Sequence, residues 1–135
     1  MNIIGIVKAA AMWVWQAPQN ALGLALTGLA LLGGGRTLVS DGTARVTMAM
    51  WRGSVSLGRY IVLSKRAVLG EGRERALLHE MGHQVQSLVL GPLYLPAVGL
   101  PSLAWASLRR LGLFRGFGYY DFYTERWAND IAGLE

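Results

Sequence analysis

The chain has no cysteine, so disulfides, thiolate metal ribbons and cysteine nucleophiles are excluded. Any metal it holds must be bound through histidine, aspartate or glutamate. Acidic residues are few, 8 against 13 lysines and arginines, and charged residues together make up only 16%. The resulting net charge of +5 favours anionic partners. The basic residues are scattered, however, from Lys8 and Arg36 through Lys65, Arg66, Arg73 and Arg75 to Arg109, Arg110 and Arg115. No nucleic-acid motif accompanies them, and no nucleic-acid partner is expected. Hydrophobic residues reach 53% and mean hydropathy +0.33, which leans toward membrane contact. A length of 135 residues suffices for one domain with its own core and is too short for two. The expected organisation is a single domain, with an apolar helical segment over 1–35 and a metal-binding core over 36–135.

Histidine is nearly as scarce as cysteine. The only two, His79 and His83, stand in Leu77-Leu78-His79-Glu80-Met81-Gly82-His83-Gln84, an H-E-x-x-H arrangement. On a helix, residues four apart are offset by about 40° and about 6 Å along the axis, so both imidazoles can bind one metal ion. Zinc accepts neutral imidazole in a tetrahedral shell that leaves a position for water, and Glu80 is placed to act on that water as general base. The rival reading is a helix whose histidines merely cap or face solvent, and a third ligand decides between the two. That helix is expected to begin near Gly72-Arg73-Glu74 and to stop at Gly91-Pro92. Ala76, Leu77, Met81, Val85 and Leu88 form an apolar stripe read as its core face.

A second helix is expected from about Asp121 to Ile131, with an acceptor side chain at its start and Gly133 beyond its end. Glu125 and Asn129 share one face of it. Glu125 is the candidate third zinc ligand, with Asp121 and Asp130 as nearby competitors, and Asn129 is a candidate hydrogen-bond acceptor behind a ligating ring. The alternative for Glu125 is a surface ion pair with Arg126 or another arginine. Tyr120, with Tyr119 and Tyr123 beside it, is the candidate donor to an oxyanion, against a packing role for all three.

Long charged stretches are missing as well. Residues 9–35 are uncharged, interrupted only by Gln16-Ala17-Pro18-Gln19-Asn20, and a shorter proline-broken stretch follows the histidines. Ile3 to Trp15 and Ala21 to Leu32 read as short helices, too short for the roughly 30 Å hydrocarbon core of a bilayer. They favour an interfacial or re-entrant pair, with core helices and a single span as the other readings. Lys8 follows the first apolar residues, so no secretory signal peptide is recognised, and the expected location is membrane-associated or cytoplasmic. Between them and the histidine helix, Arg45–Trp51 and Ser54–Leu63 flank Arg52-Gly53 as an antiparallel hairpin, joined by Thr37–Ser40 through a turn at Asp41-Gly42. An edge of that sheet can pair with an extended peptide. A further short helix is expected from Pro101 to Arg110.

These residues resemble the gluzincin zinc metallopeptidases, the thermolysin-like group. In that group an H-E-x-x-H helix is followed by a helix bearing a ligand glutamate and, four residues later, usually an aspartate that supports a histidine. The sequence is similar to small bacterial HExxH proteins, which have stretches like Gly91–Pro96, Gly99–Leu103 and Thr124–Asn129, and the resemblance covers roughly residues 54–133. It implies His79, His83 and Glu125 as zinc ligands and Glu80 as base, with Asn129 at the usual aspartate position. The expected fold is α+β and minimally zincin-like: a hairpin or small antiparallel sheet packed on the HExxH helix and a C-terminal glutamate helix, preceded by apolar helices. The expected activity is hydrolysis of a peptide or protein. The alternative is an inactive, zinc-stabilised, membrane-associated binding or structural module. Oligomeric state is left open.

Overall fold

In the computed structural model, which describes residues 2–40 and 44–134, the Ala/Leu-rich and β-branched stretches separate into an α+β fold. Among the described residues there are six α-helices and one four-stranded mixed sheet. Helix α1 (Ile3–Trp15) is capped by the Asn2 side chain and passes at Gln16 into α2 (Ala17–Leu32), which has Pro18 in its first turn. The strands β1 (Arg36–Ser40), β2 (Arg45–Ala49), β3 (Val55–Leu57) and β4 (Tyr60–Ser64) lie in the order β1-β2-β4-β3. Ser64 then caps the short α3 (Lys65–Leu69), and α4 (Arg73–Leu90) follows. After irregular turns come α5 (Leu100–Arg110) and α6 (Tyr123–Ala132), the latter closed by Gly133 at φ 72°.

The sheet differs from the expected antiparallel one. The segment Ser54–Leu63 is not one strand but two, folded at Gly58, whose φ of 62° suits the first central position of a two-residue hairpin loop. β3 and β4 therefore pair with each other, Leu57 opposite Tyr60, and β4 returns parallel to β2, Arg45 opposite Tyr60. Asn20 of α2 fixes this turn by accepting from the Arg59 N–H at 2.8 Å. Arg52-Gly53 thus joins strands that do not pair. The predicted Asp41-Gly42 turn lies outside the described residues. β4 is buried along its whole length, with Ile61 and Leu63 in a cluster with Val46, Met48 and Val68.

A second correction concerns α4. Ala76 and Leu77 pack on that cluster, but Met81, Val85 and Leu88 are 44%, 40% and 36% exposed. The buried face is the polar one: His79, Glu80, Gly82, His83, Gln86 and Ser87. Hydrogen bonds set this rotation. Ser87 donates to Gln16 at 2.6 Å and accepts from Gln19 at 2.8 Å, and Gln86 donates to the Thr124 carbonyl at 3.1 Å. Turning the apolar stripe inward would take these bonds from the buried Gln16, Gln19 and Thr124, at a cost of about 1–3 kcal/mol for each group left unsatisfied.

Candidate metal centre

Helix α4 delivers its two imidazoles one turn apart, and α6 lies against the same face. The approach is close because residue 82 is glycine: a Cβ there would sit 2.2 Å from the Ala128 carbonyl oxygen. α6 can therefore bring Glu125, only 1% exposed, directly over the histidines. One carboxylate oxygen, Oε2, lies 2.8 Å from His79 Nε2 and 3.0 Å from His83 Nε2. The donor atoms of His79, His83 and Glu125 all fall within 4.8 Å of one another, so the three can hold a metal ion. Arg126 pairs instead with Asp121, at 3.5 Å and in solvent, so the surface-pair alternative for Glu125 does not describe this arrangement.

Each ring is fixed from behind. His79 Nδ1 lies 2.7 Å from Asn129 Oδ1, and His83 Nδ1 lies 2.6 Å from Gln86 Oε1. An amide oxygen only accepts, so both rings carry their proton on Nδ1, and in the neutral form both Nε2 atoms present lone pairs. Two imidazole lone pairs then converge on a carboxylate oxygen with no hydrogen between them. Such a donor set is repulsive unless a cation or extra protons occupy it, which is the fit expected of a metal site.

When protons fill the site in place of a cation, each ring gains an Nε2–H that donates to Glu125. Burial pulls the His83 imidazole down, yet the hydrogen bond to Glu125 and the nearby Glu80 charge override it and raise its pKa to about 8. His79 is raised by the same balance. Burial would raise Glu125, but the two histidine hydrogen bonds win and hold it at about 2. Glu80 differs: it is buried beside the cluster, and burial pushes its carboxyl up despite the nearby histidines.

The tyrosines divide. Tyr120 is 46% exposed and its ring stands 5.2 Å from that of His79, edge-on, at the rim of the cluster. Tyr123 turns its hydroxyl away onto the Ala97 carbonyl at 2.7 Å. Tyr119 is half-buried against Tyr120 and also lines a cavity of about 400 Å³ with Arg109, Arg110 and Arg115. Asp121, expected to begin α6, instead accepts from the Gly118 N–H and closes the short turn before it, while Phe122 precedes the helix without a side-chain cap.

Sequence reasoning missed Gln86 and Gly82. Gln86 follows His83 by three residues on the same face, a spacing that was there to be read. It links the His83 ring to the Thr124 carbonyl, one residue before Glu125, so α4 and α6 are tied at the cluster itself. Neither protein-family models, nor curated proteins, nor solved structures match this chain.

Proposed function

We propose that this protein is a zinc-dependent metallopeptidase of gluzincin type and minimal zincin-like fold. The observation that carries the reading is the convergence of both Nε2 atoms on one Glu125 oxygen, with both Nδ1 atoms held by amide acceptors. Two neutral imidazoles and one carboxylate, with no thiolate, are the donor set that suits zinc in hydrolases. Zinc bound there supplies a Lewis acid and a water acidified to near neutrality.

The chain's own residues do the rest. Glu80 sits buried on α4 beside the ligands, where its carboxylate can accept a proton from the water and, once protonated, donate to the leaving amine. Tyr120 is held in its protonated form, because burial above all raises its pKa, so its hydroxyl is a donor available to a developing oxyanion. Asn129 and Gln86 keep the two rings aimed at a common point. A peptide suits the surroundings, since the arginine-lined cavity beside Tyr119 matches an acidic side chain or a terminal carboxylate. On the sheet edge, the Ser56 carbonyl of β3 is taken by the Tyr94 hydroxyl at 2.9 Å, so substrate pairing there has little free backbone to use.

A second reading, a zinc-stabilised module without turnover, draws on Asn129, whose neutral amide lacks the negative charge of an aspartate. Cleavage of a peptide library by the zinc-loaded protein and by Glu80→Gln separates the two. The peptidase reading expects wild-type cleavage and a loss of at least about a hundredfold in Glu80→Gln with zinc content unchanged. Stoichiometric zinc with no cleavage by either protein selects the inactive module.

A further inference from the structure

Two uncharged runs, residues 9–35 and 84–108, meet where Trp15 donates to the Leu88 carbonyl at 2.8 Å and stacks over Gly91. In α2 and in the second half of α4 the polar side faces inward. α2 buries Gln19, Asn20, Gly23, Thr27 and Ala30 and turns Leu22, Leu24, Leu29 and Leu32 outward, with Leu32 at 87% exposure. The second half of α4 buries Gln86 and Ser87 and exposes Val85, Leu88 and Val89. No residue of α1 is buried.

What covers this surface is decided by α1. Its exposed Ile4, Ile6, Met12, Trp13, Val14 and Trp15 project to all sides when placed at about 100° per residue, and Lys8 is its only charge. A partner protein or a second copy covers one face of a helix. A helix apolar all round calls for an apolar medium on every side, and acyl chains provide that. A shallow apolar groove of about 530 Å³, lined by Val7, Ala10, Ala11, Val14 and Trp15, runs along it. The helix's 13 residues reach only about 20 Å, against a hydrocarbon core of roughly 30 Å, and no helix among the described residues is long and apolar enough to cross a membrane. The charges that bound the first run, Lys8 and Arg36, are both basic. With Trp13 and Trp15 at the end of α1, these are the groups that settle at an anionic headgroup layer.

We propose that α1, α2 and the outer face of the second half of α4 seat the protein in one leaflet of an anionic bilayer without crossing it. This docking is independent of whether the metal centre turns over. The test is flotation of the full-length protein with vesicles of phosphatidylcholine alone and with equal parts of phosphatidylglycerol. The wild type is expected to float with the mixed vesicles and less with the neutral ones. The double variant Val7→Asp, Val14→Asp, at positions 60% and 71% exposed, is expected to lose about tenfold or more in binding while keeping its helical circular dichroism and zinc content. Lys8→Glu, a change of charge alone, is expected to weaken binding to the mixed vesicles only. Absence of wild-type flotation, or equal binding by the double variant, overturns the proposal. So does sedimentation showing a concentration-dependent oligomer without vesicle binding, which would assign the surface to a second copy.

Discussion

Replacing Glu125 with alanine is expected to lower zinc affinity by about three orders of magnitude, more than any change to the groups behind the ligands. The carboxylate oxygen that both histidines approach would be gone, and two imidazoles on a helix hold zinc weakly. Asp121→Ala is expected to leave affinity at the wild-type level, because that carboxylate serves only the Gly118 N–H and an exposed contact with Arg126. Asn129→Ala falls between, at roughly 10–100-fold, the usual cost of losing a group that orients a ligating ring. Asn129→Asp runs the other way. An anionic acceptor 2.7 Å behind His79 makes the ring more basic, so zinc binding should tighten. Competition titration against a chromophoric chelator measures all four. Wild-type affinity in Glu125→Ala would remove α6 from the site.

Gly82→Ala carries the second large effect and separates packing from helix propensity. Alanine favours a helix over glycine by about 1 kcal/mol, so propensity alone predicts a gain. The Cβ would meet the Ala128 carbonyl oxygen at 2.2 Å and the carbonyl carbon at 2.9 Å, both backbone atoms that cannot swing aside. α6 must then move off α4, taking Glu125 and Asn129 with it. Overpacking of this kind costs about 1–3 kcal/mol, and a ligand helix displaced by a fraction of an ångström should lower zinc affinity about tenfold or more. Gly28→Ala in α2 is the control, since a Cβ there meets nothing within 4 Å and should stabilise the fold. Thermal unfolding with and without zinc reads both variants. A Gly82→Ala protein as stable and as zinc-avid as wild type would mean that the helices do not approach this closely.

Some of this was legible in the sequence. The bounds of α4 follow from Gly72 before it and Gly91-Pro92 after it, and the α+β class follows from the change of pattern at Thr37. The pairing of Glu125 with Asn129 on one face follows from their spacing, as does that of His79 with His83. Strand partnership was not legible, because Gly53 and Gly58 both take positive φ and either could have been the hairpin turn. What selects the Gly58-Arg59 turn is the bond that the Arg59 N–H donates to Asn20, 39 positions away. The rotation of α4 was misread for a related reason. Periodicity assumes that the buried face is apolar, whereas here the inward face is made of groups whose hydrogen-bond partners, Gln16, Gln19, Thr124 and Asn129, come from distant parts of the chain. Gly82 was passed over in the sequence because what it accommodates, the carbonyl of Ala128, comes from a helix 46 positions on.

Zinc K-edge X-ray absorption on the zinc-loaded full-length protein measures the ligand set itself. The expected spectrum shows two imidazole nitrogens and light oxygen donors at about 2.0–2.1 Å, with the imidazole scattering reduced in His79→Ala and in His83→Ala. A zinc shell of oxygens alone, or zinc that dialyses away from the wild type, would contradict a centre built from His79, His83 and Glu125.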